Sequence, residues 1–426
     1  FGNLCRRTDA VLYRCGSAPV SNFTSPTLKR VVDGQLCVGC GLCAAAAPAA
    51  VTMQRDGKLG YLRPVETACV SPAAEAVISS ACPGATVAPW QPAPATSALW
   101  GPYQSIHTGH STDAQVRYAG SSGGVLSGLL IHLFNTGAID RVVHVAMDPD
   151  APLLTHVVRS IGRDDVVRAA GSRYAPVAPL AAIAAELDAG GRFAFVGKPC
   201  DVSALRQWAR HDPRIDAQVV VMLSFFCAGT PSQAGTDRII KRLGANTGKL
   251  ASFRYRGDGW PGYATAVEAD GRTTRMSYAA SWGEILSREV QYRCKICPDA
   301  VGGVADIAAA DAWYGDDSGY PTFEEADGRS LIMARSPRGA ALLAAAEAAG
   351  AIATTPLDVG EIIKMQPHQA RRKRLVASRI AALTATFQPR PRTDGTGVET
   401  AAKLAPFAEQ LRSFAGSVRR ILADKR

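Results

Sequence analysis

Residues 192–211, RFAFVGKPCDVSALRQWARH, decide the fold. An apolar run, RFAFV, reads as a buried strand. It breaks at Gly197-Lys198-Pro199-Cys200, and an apolar pattern of helical spacing follows, with Asp201 expected as the N-cap. Strand, tight loop and helix in this order are one unit of a layered α/β core. The same pattern extends in both directions. Upstream, SSGGVLSGLLIHLFNTGAI reads as a glycine turn opening a helix, AIDRVVHVAM as a strand and APLAAIAAELDAGG as a helix ending at glycine. Downstream, AQVVVMLSFFC is a buried strand and SQAGTDRIIKRLG a helix. A largely parallel sheet is expected. Residues 251–285 alternate and carry Asp-Gly turns, as an antiparallel insertion would. ADIAAADAW and RSLIMARS then read as strands, and GAALLAAAEAAGAI as a helix.

The fold class predicted is α/β with α+β elements. The expected divisions are an N-terminal arm (1–30), a small ferredoxin-like lobe (31–90) and a proline-rich linker (91–103). Two parts of the core (104–190 and 191–385) and a linker with a basic C-terminal helix (386–426) follow. In the lobe, VTMQRDGKLGYLRP has a strand–turn–strand look with Asp56-Gly57 at the turn, and AAEAVISSACPG reads as a short helix.

Eleven cysteines punctuate this frame. Cys37, Cys40 and Cys43 form C-x2-C-x2-C, and Cys82-Pro83 completes four. In two-cluster ferredoxins the run continues to a fourth Cys-Pro that serves the other cluster. Here that position is Ala47. The mirror motif has lost its first three cysteines, to Pro72, Glu75 and Ile78. These losses delete one cage and keep all four ligands of the other. A second four is scattered: Cys200, Cys227, Cys294 and Cys297. Zinc favours paired C-x2-C knuckles, whereas three closely spaced cysteines and a remote Cys-Pro favour a cubane. Two [4Fe–4S] clusters, and hence electron transfer, are expected. Cys69 is an alternative ligand or a core thiol; Cys5 and Cys15 lie in the arm.

The length allows two or three cored domains. No secretory signal and no membrane-spanning run are read, so a reduced, cytoplasmic setting is expected. The formal charge of +10 would suit nucleic acid, anionic membrane or an acidic redox partner. The basic residues are dispersed apart from Arg371-Arg372-Lys373-Arg374 and the last helix, and no recognition pattern stands out. A solvated basic face is expected, with no nucleic acid bound.

The combination GKPCD, FFCAG and CKICPD, followed by ADI and DAW, resembles the coenzyme F420 hydrogenase/dehydrogenase beta subunit family. SSGGVLSGLL and AGSRYAPV resemble its N-terminal flavin-binding region. The likeness covers residues 103–370 and, through a bacterial branch with a ferredoxin-like lobe, reaches residue 31. That branch is related to the 7-hydroxymethyl chlorophyll reductases. The resemblance implies that Cys200, Cys227, Cys294 and Cys297 hold a cluster beside FAD. It also implies that Ser122, Gly123 and Gly124 let the backbone approach the flavin, and that Gly171, Ser172, Arg173 and Tyr174 border it. Lys198 would contact the flavin or an acidic substrate. A glycine pair at a helix start independently suits a pyrophosphate. Where the family often has Gly-Asp, this chain has Ala310-Asp311-Ala312-Trp313. The loop Arg256–Gly262 reads as a lid or as a hairpin with a packed indole.

The function expected is a flavin-dependent iron–sulfur oxidoreductase taking electrons from a ferredoxin or similar donor, with hydride delivered to an organic substrate. Lys198, Tyr174 and Asp311 are candidates for catalysis; Asp201, Asp299 and Asp306 are further polar candidates. His107 and His110 are read as a surface-loop pair, or as ligands or proton donors. The alternatives are an electron-relay subunit and a zinc-stabilised nucleic-acid-binding protein. A homo-oligomer is compatible with all three.

Overall fold

The computed structural model describes residues 23–57, 59–316 and 322–424; Cys5 and Cys15 lie outside them. The core is an eight-stranded sheet. Its strands run in the order Ile352–Pro356, Ser105–Ser111, Ser330–Ala334, Ile307–Asp311, Val219–Phe225, Phe193–Val196, Arg141–Met147 and Thr155–Ser160. The four strands from Ile307–Asp311 to Arg141–Met147 pair in parallel. The strands flanking them pair antiparallel. The sheet is therefore mixed, not largely parallel. Part of the reason lies in Ser105–Ser111, whose sequence SIHTGHS lacks the apolar alternation of a strand. It is held by backbone pairing on both sides, and it carries His107 and His110 into the sheet rather than into a surface loop.

Both faces of the sheet are covered. Phe193, Phe195, Val219 and Met222 point into one cluster, and Ala194, Val221 and Leu223 into another. The pairing of Phe193–Val196 with Val219–Phe225 skips Val220, so Val219 and Val221 reach opposite faces. Full burial of Phe193 and Phe195 stabilises the fold by about 1.5–3 kcal/mol each. The helices Val125–Asn135 and Pro337–Ala348 cover the second face through Leu129, Leu133 and Leu343. The first face meets Val202 and Leu205 of the helix Pro199–Trp208, and with them the N-terminal lobe.

The lobe begins earlier than an irregular arm would allow. Ser25 accepts the amide of Leu28, Pro26 occupies the first turn, and a helix runs Pro26–Asp33. The hairpin Val51–Arg55/Leu62–Glu66 and the helix Pro72–Ala81 follow. Leu28, Val31, Leu36 and Ile78 share one hydrophobic cluster with Phe193, Leu205 and Met222, so the lobe packs against the core without a gap. Residues 250–277 form the expected three-stranded antiparallel insertion.

The C-terminal segment doubles back. After the helix Pro367–Ala385, the amide of Arg392 donates to Ala85 O at 2.8 Å and that of Val87 to Arg392 O at 2.9 Å. Trp90 N donates to Gly395 O at 3.0 Å. The expected linker is thus a strap across the lobe. The last helix, Phe407–Leu422, packs on Pro367–Ala385.

Candidate functional site

The first cysteine set is built by a loop and a helix end. Gly39 and Gly41 have φ of 75° and 87°, which side chains rarely adopt, and this lets Cys37, Cys40 and Cys43 curl round one point. Cys82 caps the helix Pro72–Ala81. All four are buried and free. Burial pushes the Cys43 thiol up, and the facing Cys37 and Cys82 add to it. Burial and Cys82 raise Cys40, and burial and Cys37 push Cys82 up to about 11. Thiols raised as those of Cys40, Cys43 and Cys82 are, stay neutral in a dry site unless a metal supplies positive charge.

In the second set, Cys200 stands in the first turn of Pro199–Trp208 and Cys227 just beyond the strand Val219–Phe225. Cys294 lies in the short helix Tyr292–Lys295, with Cys297 three residues on. All four line one cavity. Burial pushes Cys227 up to about 12, with repulsion from Cys294 and Cys297 adding to it. Burial, then Asp201, raises Cys200. The N–H of Thr230 points at Cys294 Sγ at 3.4 Å. Among the described residues, no three His, Cys, Asp or Glu side chains stand as a single ion requires. A cubane holds its thiolates further apart, because several iron atoms stand between them.

The two sets adjoin. Val38, between Cys37 and Cys40, lines the cavity of the second set. Gln291 Nε2 donates to Val38 O at 3.2 Å. Arg63 Nη1 reaches both Cys37 O, at 3.2 Å, and Gln291 Oε1, at 3.1 Å. Arg293 is 2% exposed, lines the same cavity and donates to Pro83 O. Its Nε is buried without a hydrogen-bond partner. A donor left over in a cavity lined by four thiols fits a sulfide-bearing cluster, whose sulfurs accept N–H bonds.

Lys198 is the N-cap of Pro199–Trp208. The N-cap is therefore not Asp201, which sits at N3 and accepts both the Lys198 amide at 2.9 Å and the Lys198 Nζ at 2.7 Å. The ammonium is buried beside Cys200 and Cys227. Burial opposes its charge, but Asp201 and the thiols prevail and raise it. Lys198 is thus paired with Asp201 at the edge of the second set.

The basic run also departs from a solvated face. Arg372 donates to Cys227 O and, at 2.9 Å, to Ala228 O. Lys373 is buried, donates to Pro298 O and Thr396 O, and lies 4.1 Å from the Trp90 ring. Sequence reasoning missed Arg293, Arg372 and Lys373; adjacency to Cys294 was the only signal for the first. Cys69 is exposed and disulfide-bonded, so it is neither a core thiol nor a free ligand like the eight cysteines of the two sets.

The flavin candidates cluster only in part. Ser172 Oγ donates to Ser121 Oγ at 2.7 Å, which brings Gly171 and Ser172 beside the Ser122–Gly124 turn. The helix Val125–Asn135 has no side-chain cap at Gly124, so its first-turn amides face no side-chain acceptor, as an anion-binding terminus requires. Gly123 has another role: its amide donates to Ser330 Oγ at 3.0 Å, and a Cβ there would meet Gly109 O at 2.6 Å. Ser122 Oγ donates to Arg329 O at 2.9 Å. Arg173 is engaged by Thr155, Phe253, Pro152 and Leu154 and stacks over Tyr255. Its charge serves the insertion, and burial lowers its pKa. Tyr174 packs on Trp282 and Tyr255.

Asp311 accepts two bonds from Arg256, at 2.8 and 2.7 Å, and one from Trp260 Nε1 at 2.7 Å. Trp260 is buried and stacked on Trp313. The Arg256–Gly262 loop is therefore a packed hairpin. Asp306 accepts the Met222 amide and pairs with Arg206, and Asp299 accepts the Gly303 amide; both brace the fold.

Two family models, for the N-terminal and C-terminal parts of the coenzyme F420 hydrogenase/dehydrogenase beta subunit, match residues 106–184 and 190–359. The chain belongs to this family of redox proteins. It is 24% identical over 212 residues to a subunit of the F(420)H(2) dehydrogenase of Methanosarcina mazei, and the match spans 47% of this chain and 56% of that protein. Its fold is similar, with a TM-score of 0.53 and 20% identity, to a chain of the xenon-derivatised F420-reducing [NiFe] hydrogenase complex from Methanosarcina barkeri. That likeness covers 67% of this chain and 96% of the other. Among the described residues no helix is long and apolar enough to cross a membrane.

Proposed function

We propose that the chain is an iron–sulfur oxidoreductase that moves electrons between a ferredoxin-like carrier and an organic substrate through two [4Fe–4S] clusters and FAD. One observation carries this reading: the loop of the first cysteine set lines the cavity of the second, through Val38. Adjoining cages suit successive one-electron transfers. When bound, the clusters supply single-electron transfer, and a flavin pairs electrons for hydride delivery.

The residues of the chain have separable tasks. Cys37, Cys40, Cys43 and Cys82 would hold one cluster, and Cys200, Cys227, Cys294 and Cys297 the other. Lys198, Arg293 and Arg372 offset the charge that four thiolates bring into a buried site. The uncapped start of Val125–Asn135, with Ser122, Gly171 and Ser172 beside it, is where a pyrophosphate would rest. Gly123 and Arg173 support the fold there. The relatives' names make coenzyme F420 the first substrate to test. Because the Methanosarcina mazei relative is part of a larger dehydrogenase by its name, a relay role within an assembly is the second reading.

The deciding experiment is an absorption spectrum of anaerobically purified protein with iron, sulfide, zinc and flavin assays. Two cubanes predict about eight irons per chain, with one flavin. Zinc in a colourless protein would overturn the redox reading in favour of a zinc-stabilised one. Reduction of generic dyes without turnover of any screened substrate would favour the relay.

A further inference from the structure

The formal charge of +10 is unevenly placed. Residues 362–424 hold twelve Lys and Arg against four Asp and Glu, a net of +8. All of them lie beyond residue 359, where the family match ends. The helices Pro367–Ala385 and Phe407–Leu422 carry most of this charge, and they pack together over the second cysteine set.

The cations lead inward from the surface to that set. Arg419 and Arg420 are exposed on the last helix. Lys295 stands at the outer end of the Cys294–Cys297 loop. It is exposed there. Arg379 Nη1 donates to Lys295 O at 2.6 Å. Arg372 reaches Cys227 O on the cavity wall. Glu409 pairs with Arg371 at 2.8 Å. Phe407, Leu411 and Leu422 are exposed along the last helix, at 79%, 54% and 76%. An apolar strip rimmed by charge is the anatomy of a protein interface. A lipid surface would account for the helix but not for cations that continue to the cysteine cavity.

We propose that this helix pair is the docking surface for a small one-electron carrier protein with an acidic face, which exchanges its electron at the Cys294–Cys297 loop. The reading rests on the redox function proposed above. It places the donor's point of entry at the second cysteine set. The carrier loses one electron and the adjoining cluster gains it; no bond forms or breaks. Acidic and basic faces steer such encounters, and salt screens them.

The test is stopped-flow reduction of the iron-loaded protein by a reduced acidic [2Fe–2S] ferredoxin, over a range of ionic strength. The expected result is a steep fall in rate with salt for the natural protein. In Arg419→Glu/Arg420→Glu the low-salt rate should drop roughly tenfold or more and its salt dependence flatten. Arg419→Gln/Arg420→Gln should fall between. Reduction by a small viologen dye should match in all three, which shows that each is folded and loaded. An unchanged ferredoxin rate and salt slope in the dye-competent Glu variant would overturn the docking surface alone. Protein that takes up no iron would overturn the redox function as well. Sedimentation with phosphatidylserine vesicles, with the ferredoxin rate untouched by the substitutions, would assign the surface to lipid and overturn the proposal.

Discussion

Arg293 Nη2 donates to the carbonyl oxygen of Pro83 at 2.8 Å, which ties the residue before Cys294 to the residue after Cys82. One buried cation thereby faces both cysteine sets, and its charge lowers the Cys82 thiol against the larger effect of burial.

A positive charge near a cluster favours its reduced, more negative state. Arg293→Gln is therefore expected to move both midpoint potentials negative, with Arg293→Lys closer to the natural values. Redox titration followed by electron paramagnetic resonance, on samples matched for iron content, measures this. Unmoved potentials in fully loaded Arg293→Gln would show that the residue only buttresses Pro83.

Asp311 braces the fold through Arg256 and Trp260. Its partner Arg256 is 3% exposed, and its own side chain 17%. Breaking such a pair from one side leaves a buried charge and costs roughly 3–5 kcal/mol. Asp311→Asn should unfold at markedly lower urea while loaded protein keeps its rate below the transition. A lost rate at natural stability would return Asp311 to the chemistry.

At Gly123, backbone stands close on two sides: a Cβ there would lie 2.6 Å from Gly109 O and 2.8 Å from Ser330 N. Gly123→Ala should destabilise by about 1–3 kcal/mol through overpacking, with or without flavin present. Destabilisation seen only in flavin-loaded samples would instead assign the glycine to flavin approach.

His144 is buried on the strand Arg141–Met147, its Nε2 2.7 Å from Ser160 Oγ. Burial lowers it to about 4. Between that value and the ordinary one near 6.5, the unfolded chain binds the proton and the folded chain does not, so stability falls as pH falls through the window. At pH 5 this costs on the order of 2 kcal/mol. Urea unfolding of the natural protein and His144→Gln at pH 7 and pH 5 should show a smaller acid loss in the variant. Equal losses would remove His144 as the cause.

Much of this was legible in the chain because chemistry and spacing coincide. The C-x2-C-x2-C run needs glycines at 39 and 41 to close, and both are there. RFAFV and AQVVVMLSF are apolar on both faces, as central parallel strands must be. What escaped is decided by tertiary neighbours. Ser105–Ser111 is polar and becomes a strand only because Ser330–Ala334 and Ile352–Pro356 pair with it. The run Arg371–Arg374 carries no mark that tells a solvated side chain from Lys373, which is buried against Pro298 and Trp90. The Ser122–Gly124 turn suggested open amides, but Ser330, more than two hundred residues away, takes one of them.

The strap from Arg392 to Gly395 fastens the end of the chain to its beginning, with Thr86 and Arg392 bridged in parallel. An N-terminal lobe on a proline-rich tether would ordinarily be free to swing, visiting a donor and returning. Here the clasp forbids that commute. Under the proposed function the first cysteine set is then a fixed station, and electrons reach it across a constant gap.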